Sequence, residues 1–77
     1  MTDIKFDYSK LRGRIRECYG TEMKFADEMG LSTVSLGAKL NNKVGFKNSE
    51  IYKACELLKI DLKEAGTYFY AIKTKKT

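Results

Sequence analysis

The stretch from Thr21 to Lys43, TEMKFADEMGLSTVSLGAKLNNK, most constrains what this chain can fold into. It spells two short helices separated by a glycine. Thr21 is an N-cap residue, Phe25, Ala26 and Met29 share one helical stripe, and Gly30 supplies the left-handed backbone that stops a helix. Ser32 then caps a second helix over Thr33 to Leu40, whose apolar face carries Leu36 and Leu40. With so short a connection the two helices must cross sharply, and Ala26 is small where they approach.

Seventy-seven residues without proline, 43% of them hydrophobic, suffice for one modest core. Residues 1–77 are therefore read as a single domain, with 1–8 as an N-terminal arm and 73–77 as a basic tail. The longest apolar runs are only a few residues, and Asp3 and Asp7 break the basic-then-apolar order of a secretory signal, so no membrane contact and a cytoplasmic location are expected. There is no histidine. Cys18 and Cys55 lack Cys-x-x-Cys spacing and read as buried thiols, and no Ser-His, Cys-His or paired-carboxylate arrangement stands out. The expectation is a protein that is not an enzyme and has no metal, cofactor or small-molecule substrate. A net charge of +5 favours an anionic partner. The cations fall on the first helix (Lys10, Arg12, Arg14, Arg16), at the end of the second motif helix (Lys39, Lys43) and in the tail (Lys73, Lys75, Lys76). For any single one, a solvated surface charge is the simpler reading.

The remaining segments read as three more helices. Helix one spans Ser9 to Gly20, with Tyr8, Leu11, Ile15 and Cys18 inward. Gly13 inside it suggests close backbone approach, to another helix in preference to phosphate. Asn41 to Phe46 reads as a loop in which Asn41-Asn42 and Gly45 tolerate positive φ, and Phe46 returns to the core. Helix four covers Asn48 to Lys59 with Ile51, Ala54, Cys55 and Leu58 on one stripe. Asp61 and Glu64 have capping-box spacing, starting helix five at Leu62 with Leu62, Ala65 and Phe69 inward. Ile4, Phe6 and Tyr8 alternate with charged residues, and Tyr68 to Ile72 is rich in aromatic and branched side chains. The termini thus either pair as a short two-stranded ribbon, mediate a dimer contact, or pack on the bundle as an arm and a helix.

The motif residues Ala26, Gly30, Leu31, Ser32 and Leu36, with the polar ending Asn41, Asn42 and Lys43, resemble the helix-turn-helix of small phage repressors of the Cro and CI type. Ser9 to Gly13, Lys39 to Asn41 and Ala54 to Leu58 extend the resemblance to compact regulators of phages of Gram-positive hosts. Together these segments cover about three quarters of the chain. The resemblance implies an all-α, five-helix, lambda-repressor-like bundle and a transcriptional regulator acting in a bacterial host cell. It further implies a homodimer on a palindromic double-stranded DNA operator.

On that reading the second motif helix enters the major groove. Ser32 and Thr33 stand at its N-terminal edge, and Val34 and Ala38 are available to thymine methyl groups. Gly37 permits close approach. Thr21, Lys24, Lys39, Asn41 and Lys43 would hold phosphates. Two departures from the family pattern matter. Glu22 stands where relatives often carry glutamine, and Lys39 lies three after Leu36 where an apolar residue is usual, leaving it free for phosphate. No arginine or glutamine is placed to read a base bidentately. This weak reading set sustains an alternative: a protein-interaction module, such as an antirepressor or a partner of another regulator, using the Tyr68 to Ile72 surface.

Overall fold

The first helix is started from outside itself. Oδ1 of Asp7 accepts the Ser9 backbone N–H at 2.9 Å and the Ser9 hydroxyl at 2.7 Å, satisfying donors that a helix start leaves open. From there α1 runs over Ser9–Tyr19, and Gly20 ends it at φ 83°. Thr21 caps α2 (Glu22–Met29) through the Lys24 N–H at 3.2 Å, and Ser32 caps α3 (Thr33–Leu40) through the Ser35 N–H at 3.0 Å. In α4 (Asn48–Leu58) the Glu50 carboxylate reaches back to the Lys47 N–H at 2.9 Å. A 3-10 turn at Leu62–Glu64 then leads into α5 (Ala65–Phe69). The computed structural model describes residues 5–72, and within them the chain is an all-α bundle of five helices with no β-sheet. The expectations for Asp3, Ile4 and the basic tail of Lys73, Lys75 and Lys76 lie outside the described residues.

Three helices end by one device. Gly30, Asn42 and Lys59 are left-handed, at φ 77°, 65° and 57°. In each case the next residue donates its N–H to a carbonyl five positions back: Leu31 to Ala26 at 2.9 Å, Lys43 to Ala38 at 2.8 Å and Ile60 to Cys55 at 2.8 Å. This arrangement satisfies carbonyls that the helix leaves open, and after Gly30 and Lys59 it turns the chain inward. Leu31 is half-buried and Ile60 is buried after their turns.

The core joins Leu11 and Ile15 of α1, Phe25, Ala26 and Met29 of α2, and Leu36 and Leu40 of α3 with Ala54, Cys55 and Leu58 of α4 and Phe69 of α5. Burial pushes the Cys55 thiol above its ordinary pKa. Side chains of α1 also serve the C-terminal end of α4. Arg14 Nε donates to the Leu58 carbonyl at 2.9 Å and the Tyr19 hydroxyl to the Leu57 carbonyl at 3.4 Å. These groups complement the negative end of the α4 dipole.

Several sequence expectations are corrected here. Cys18 is exposed: it lies at the end of α4, with its Sγ 3.8 Å from the carbonyl of Leu58, the last residue of that helix, and so beyond the core. A Cβ added at Gly13 would meet nothing within 4 Å, so no helix approaches it closely. Of the loop residues that tolerate positive φ, Asn42 adopts it and Asn41 and Gly45 do not. The Asp61 carboxylate accepts the Lys63 N–H at 3.0 Å, while the Glu64 N–H goes to the Asp61 backbone carbonyl at 2.7 Å, so a 3-10 turn replaces the expected capping box. Tighter winding there rotates Leu62 outward, leaving it 55% exposed. The termini meet at a single antiparallel bridge between Phe6 and Ile72, supported by the Asp7 N–H donating to the Ala71 carbonyl at 2.7 Å.

Lys59 carries a side chain in backbone geometry that suits glycine, and its side chain is exposed. Lys59→Gly is therefore expected to stabilise the fold by about 0.5–1 kcal/mol, measured by urea denaturation.

Candidate interaction face on the third helix

The sequence-predicted site residues come together on α3 and its two flanks, but the structure divides them into free and engaged side chains. Thr33 and Val34 are exposed, Val34 at 82%, and Gly37 and Ala38 follow half-buried on the same side of the helix. A Cβ at Gly37 would meet nothing within 4 Å. No packing inside the described residues requires glycine there, although glycine within a helix costs about 1 kcal/mol relative to alanine. Met23, 65% exposed, stands on α2, and Val44, 53% exposed, follows α3. Two grooves flank Leu31. One is bounded by Val34, Ala38 and Val44, the other by Met23, Ser32 and Thr33.

The polar members are largely engaged internally. Lys39, expected to be free for phosphate, is buried. Its Nζ lies 3.1 Å from Glu50 Oε1, donates to the Gly45 carbonyl at 3.2 Å and stands 5.9 Å above the centre of the Phe46 ring. This follows from helical geometry: three residues after Leu36, Lys39 lies about 60° round the helix from it, on the flank that meets Glu50 in the first turn of α4. Asn41 Oδ1 accepts from Arg12 Nη2 at 3.2 Å, while Arg12 Nη1 pairs with Glu22 at 2.8 Å. The Glu22 carboxylate that would repel DNA is thus neutralised by α1. Thr21 and Ser32 are engaged as helix caps, and the Ser32 hydroxyl lies 3.1 Å from Ser35 Oγ. Lys24 and Lys43 remain exposed.

The sequence missed Asn42. Its Oδ1 accepts the Phe6 N–H at 2.8 Å and its Nδ2 donates to the Phe6 carbonyl at 3.0 Å, pairing a side-chain amide with backbone 36 residues away. Asparagine's tolerance of positive φ was a visible signal, but its partner was not. Glu50 was also missed, because a carboxylate in the first turn of a helix reads as dipole complement alone. The described residues contain no group of three or more His, Cys, Asp or Glu able to hold a metal ion. None of their helices is long and apolar enough to cross a membrane.

A five-helix bundle with an exposed, mainly apolar third-helix face defines the structural class. The chain belongs to the family described as protein of unknown function DUF739, whose profile matches residues 4–72. It is similar to the solution structure of the modulator of repression of the temperate bacteriophage TP901-1 from Lactococcus lactis. The sequences are 43% identical and the TM-score is 0.76, with 84% of this chain and 88% of that chain covered. Comparison with curated proteins gave no match. The solved relative is a phage regulatory protein, as the sequence resemblance implied, but by name a modulator of repression and not a Cro or CI repressor.

Burial by itself would raise the Glu50 pKa. The Lys47 N–H and the Lys39 ammonium outweigh it together and hold the carboxyl below its ordinary value of 4.5. A carboxyl whose pKa is lower folded than unfolded adds stability above the unfolded value and loses it as the pH falls through the folded one. Glu50→Gln is thus expected to cost about 1–2 kcal/mol at pH 7. Its thermal midpoint should also fall less than the wild type's as the pH drops below 4.5.

Proposed function

We propose that this chain is a phage-type modulator of repression that acts by binding a repressor protein through the exposed face of α3. The observation that carries this reading is the chemistry of that face. Val34 is 82% exposed between Met23 and Val44, whereas Lys39 and Asn41 are held by Glu50 and Arg12. A surface that reads bases needs amide or guanidinium groups free to make paired hydrogen bonds at base edges. An exposed cluster of valine and methionine around an open glycine instead suits contact with apolar protein side chains. The solved relative modulates repression by name, which makes a repressor the natural partner class.

A second reading keeps the same face but gives it a double-stranded DNA operator, bound by a homodimer. It is favoured by the two capped helix starts at Thr21 and Ser32 together with exposed Lys24 and Lys43, an arrangement able to hold phosphates. Tyr70 and Ile72, 50% and 54% exposed, would supply the contact between copies. A single-domain protein of the bacterial cytoplasm suits either reading.

Both are tested with purified chain, a purified phage repressor protein and a random-sequence duplex pool at two salt concentrations. Gly37→Ala should stabilise the fold by about 0.5–1 kcal/mol, since an added methyl meets nothing, yet weaken repressor binding about tenfold or more by obstructing the face. Val34→Asp should abolish that binding, while Tyr70→Ala with Ile72→Ala leaves it intact. Repressor binding unaffected by Val34→Asp would move the contact elsewhere. Recovery of a palindromic motif lost on Val34→Asp with Lys43→Glu would instead establish the operator reading.

A further inference from the structure

The segment around Phe6 is held on both edges. Along one, the Asn42 amide makes its paired hydrogen bonds to the Phe6 N–H and carbonyl at 2.8 and 3.0 Å. Along the other, Phe6 bridges Ile72 and the Asp7 N–H donates to Ala71 at 2.7 Å. A single β-bridge has little stability of its own. Asn42 is also part of the α3 terminus. Its φ of 65° allows the next N–H, that of Lys43, to reach the Ala38 carbonyl at 2.8 Å. One residue therefore closes the third helix and completes the ribbon made by the two ends of the described chain.

The ribbon carries its own apolar surface. The Phe6 ring stands edge-on to Tyr70 at 6.0 Å, and Tyr70 and Ile72 are about half exposed. The molecule thus has two exposed apolar faces, on α3 and on the terminal ribbon, joined by a two-bond side-chain contact.

We infer that Asn42 is a latch coupling these two faces: displacement of the loop after α3 releases the terminal ribbon, and a ligand that orders the ribbon steadies the end of α3. Coupling of this kind is reciprocal by linkage. It needs no large movement, because rotation of one side chain breaks both hydrogen bonds together. The latch operates whichever macromolecule binds α3.

Amide hydrogen exchange on the free chain, followed by NMR, tests it apart from any partner. In Asn42→Gly, which keeps the positive φ and removes the amide, the Phe6 and Asp7 N–H groups should exchange about tenfold faster or more, with Lys43 also accelerated. Leu11, Ile15 and Leu58 should keep their protection. Asp7 is decisive, because its hydrogen bond goes to Ala71 and not to Asn42. Faster exchange at Phe6 alone, with Asp7 and Lys43 unchanged, would overturn the latch. Asn42→Asp retains the acceptor for Phe6 and loses the donor, so a smaller acceleration of the same amides is expected. If Asn42→Gly also loses core protection, Asn42→Asp decides: core amides protected and Asp7 accelerated supports the latch, whereas Asp7 unchanged overturns it.

Discussion

The arrangement of α3 depends on the buried contact between Lys39 and Glu50. An ammonium placed among apolar groups must find compensation, and here it has a carboxylate at 3.1 Å, a backbone carbonyl at 3.2 Å and the face of Phe46. Glu50 is itself fixed by the Lys47 N–H at the start of α4. This small network ties α3, the following loop and the beginning of α4 into one unit. It also determines what α3 shows to its surroundings: with its only cation drawn inward, the outer side of the helix is left to Thr33, Val34, Gly37 and Ala38.

Phe46 extends the same network toward the chain termini. It meets Tyr8 at 5.4 Å and Phe69 at 5.2 Å, both edge to face, and Tyr8 in turn meets Phe6 at 6.2 Å. Such pairs each contribute roughly 0.5–1.5 kcal/mol beyond the area they bury. In a bundle whose fifth helix spans only Ala65–Phe69, these rings do much of the work of holding the terminal segments.

The excess of basic residues consequently says less about an anionic partner than the sum of charges suggests. Arg12 offsets Glu22 and holds Asn41, Arg14 serves the carbonyl end of α4, and Lys39 stabilises Glu50. Three basic side chains, Arg12, Arg14 and Lys39, thus have structural partners within the fold. What remains on the α3 side is apolar at its centre with Lys24 and Lys43 exposed, a pattern closer to a protein contact than to a base-reading helix.

The sequence by itself determined the class of fold and the course of the motif. Thr21, Gly30 and Ser32 act through their immediate neighbours, so caps and stops could be read locally, and the periodicity of Phe25, Ala26, Met29, Leu36 and Leu40 identified the inward faces. The exposure of Val34 and the polar ending after Leu40 were legible for the same reason. The tertiary structure alone decided which polar side chains stay free. Lys39, Asn41 and Asn42 look alike in sequence as exposed helix-end residues, yet Glu50, Arg12 and Phe6 engage them from distant positions. It likewise decided that Lys59 adopts a glycine-like turn, that Gly13 faces open space and that Leu62 turns outward. Each of these outcomes depends on neighbours brought together by packing, and no local pattern encodes them.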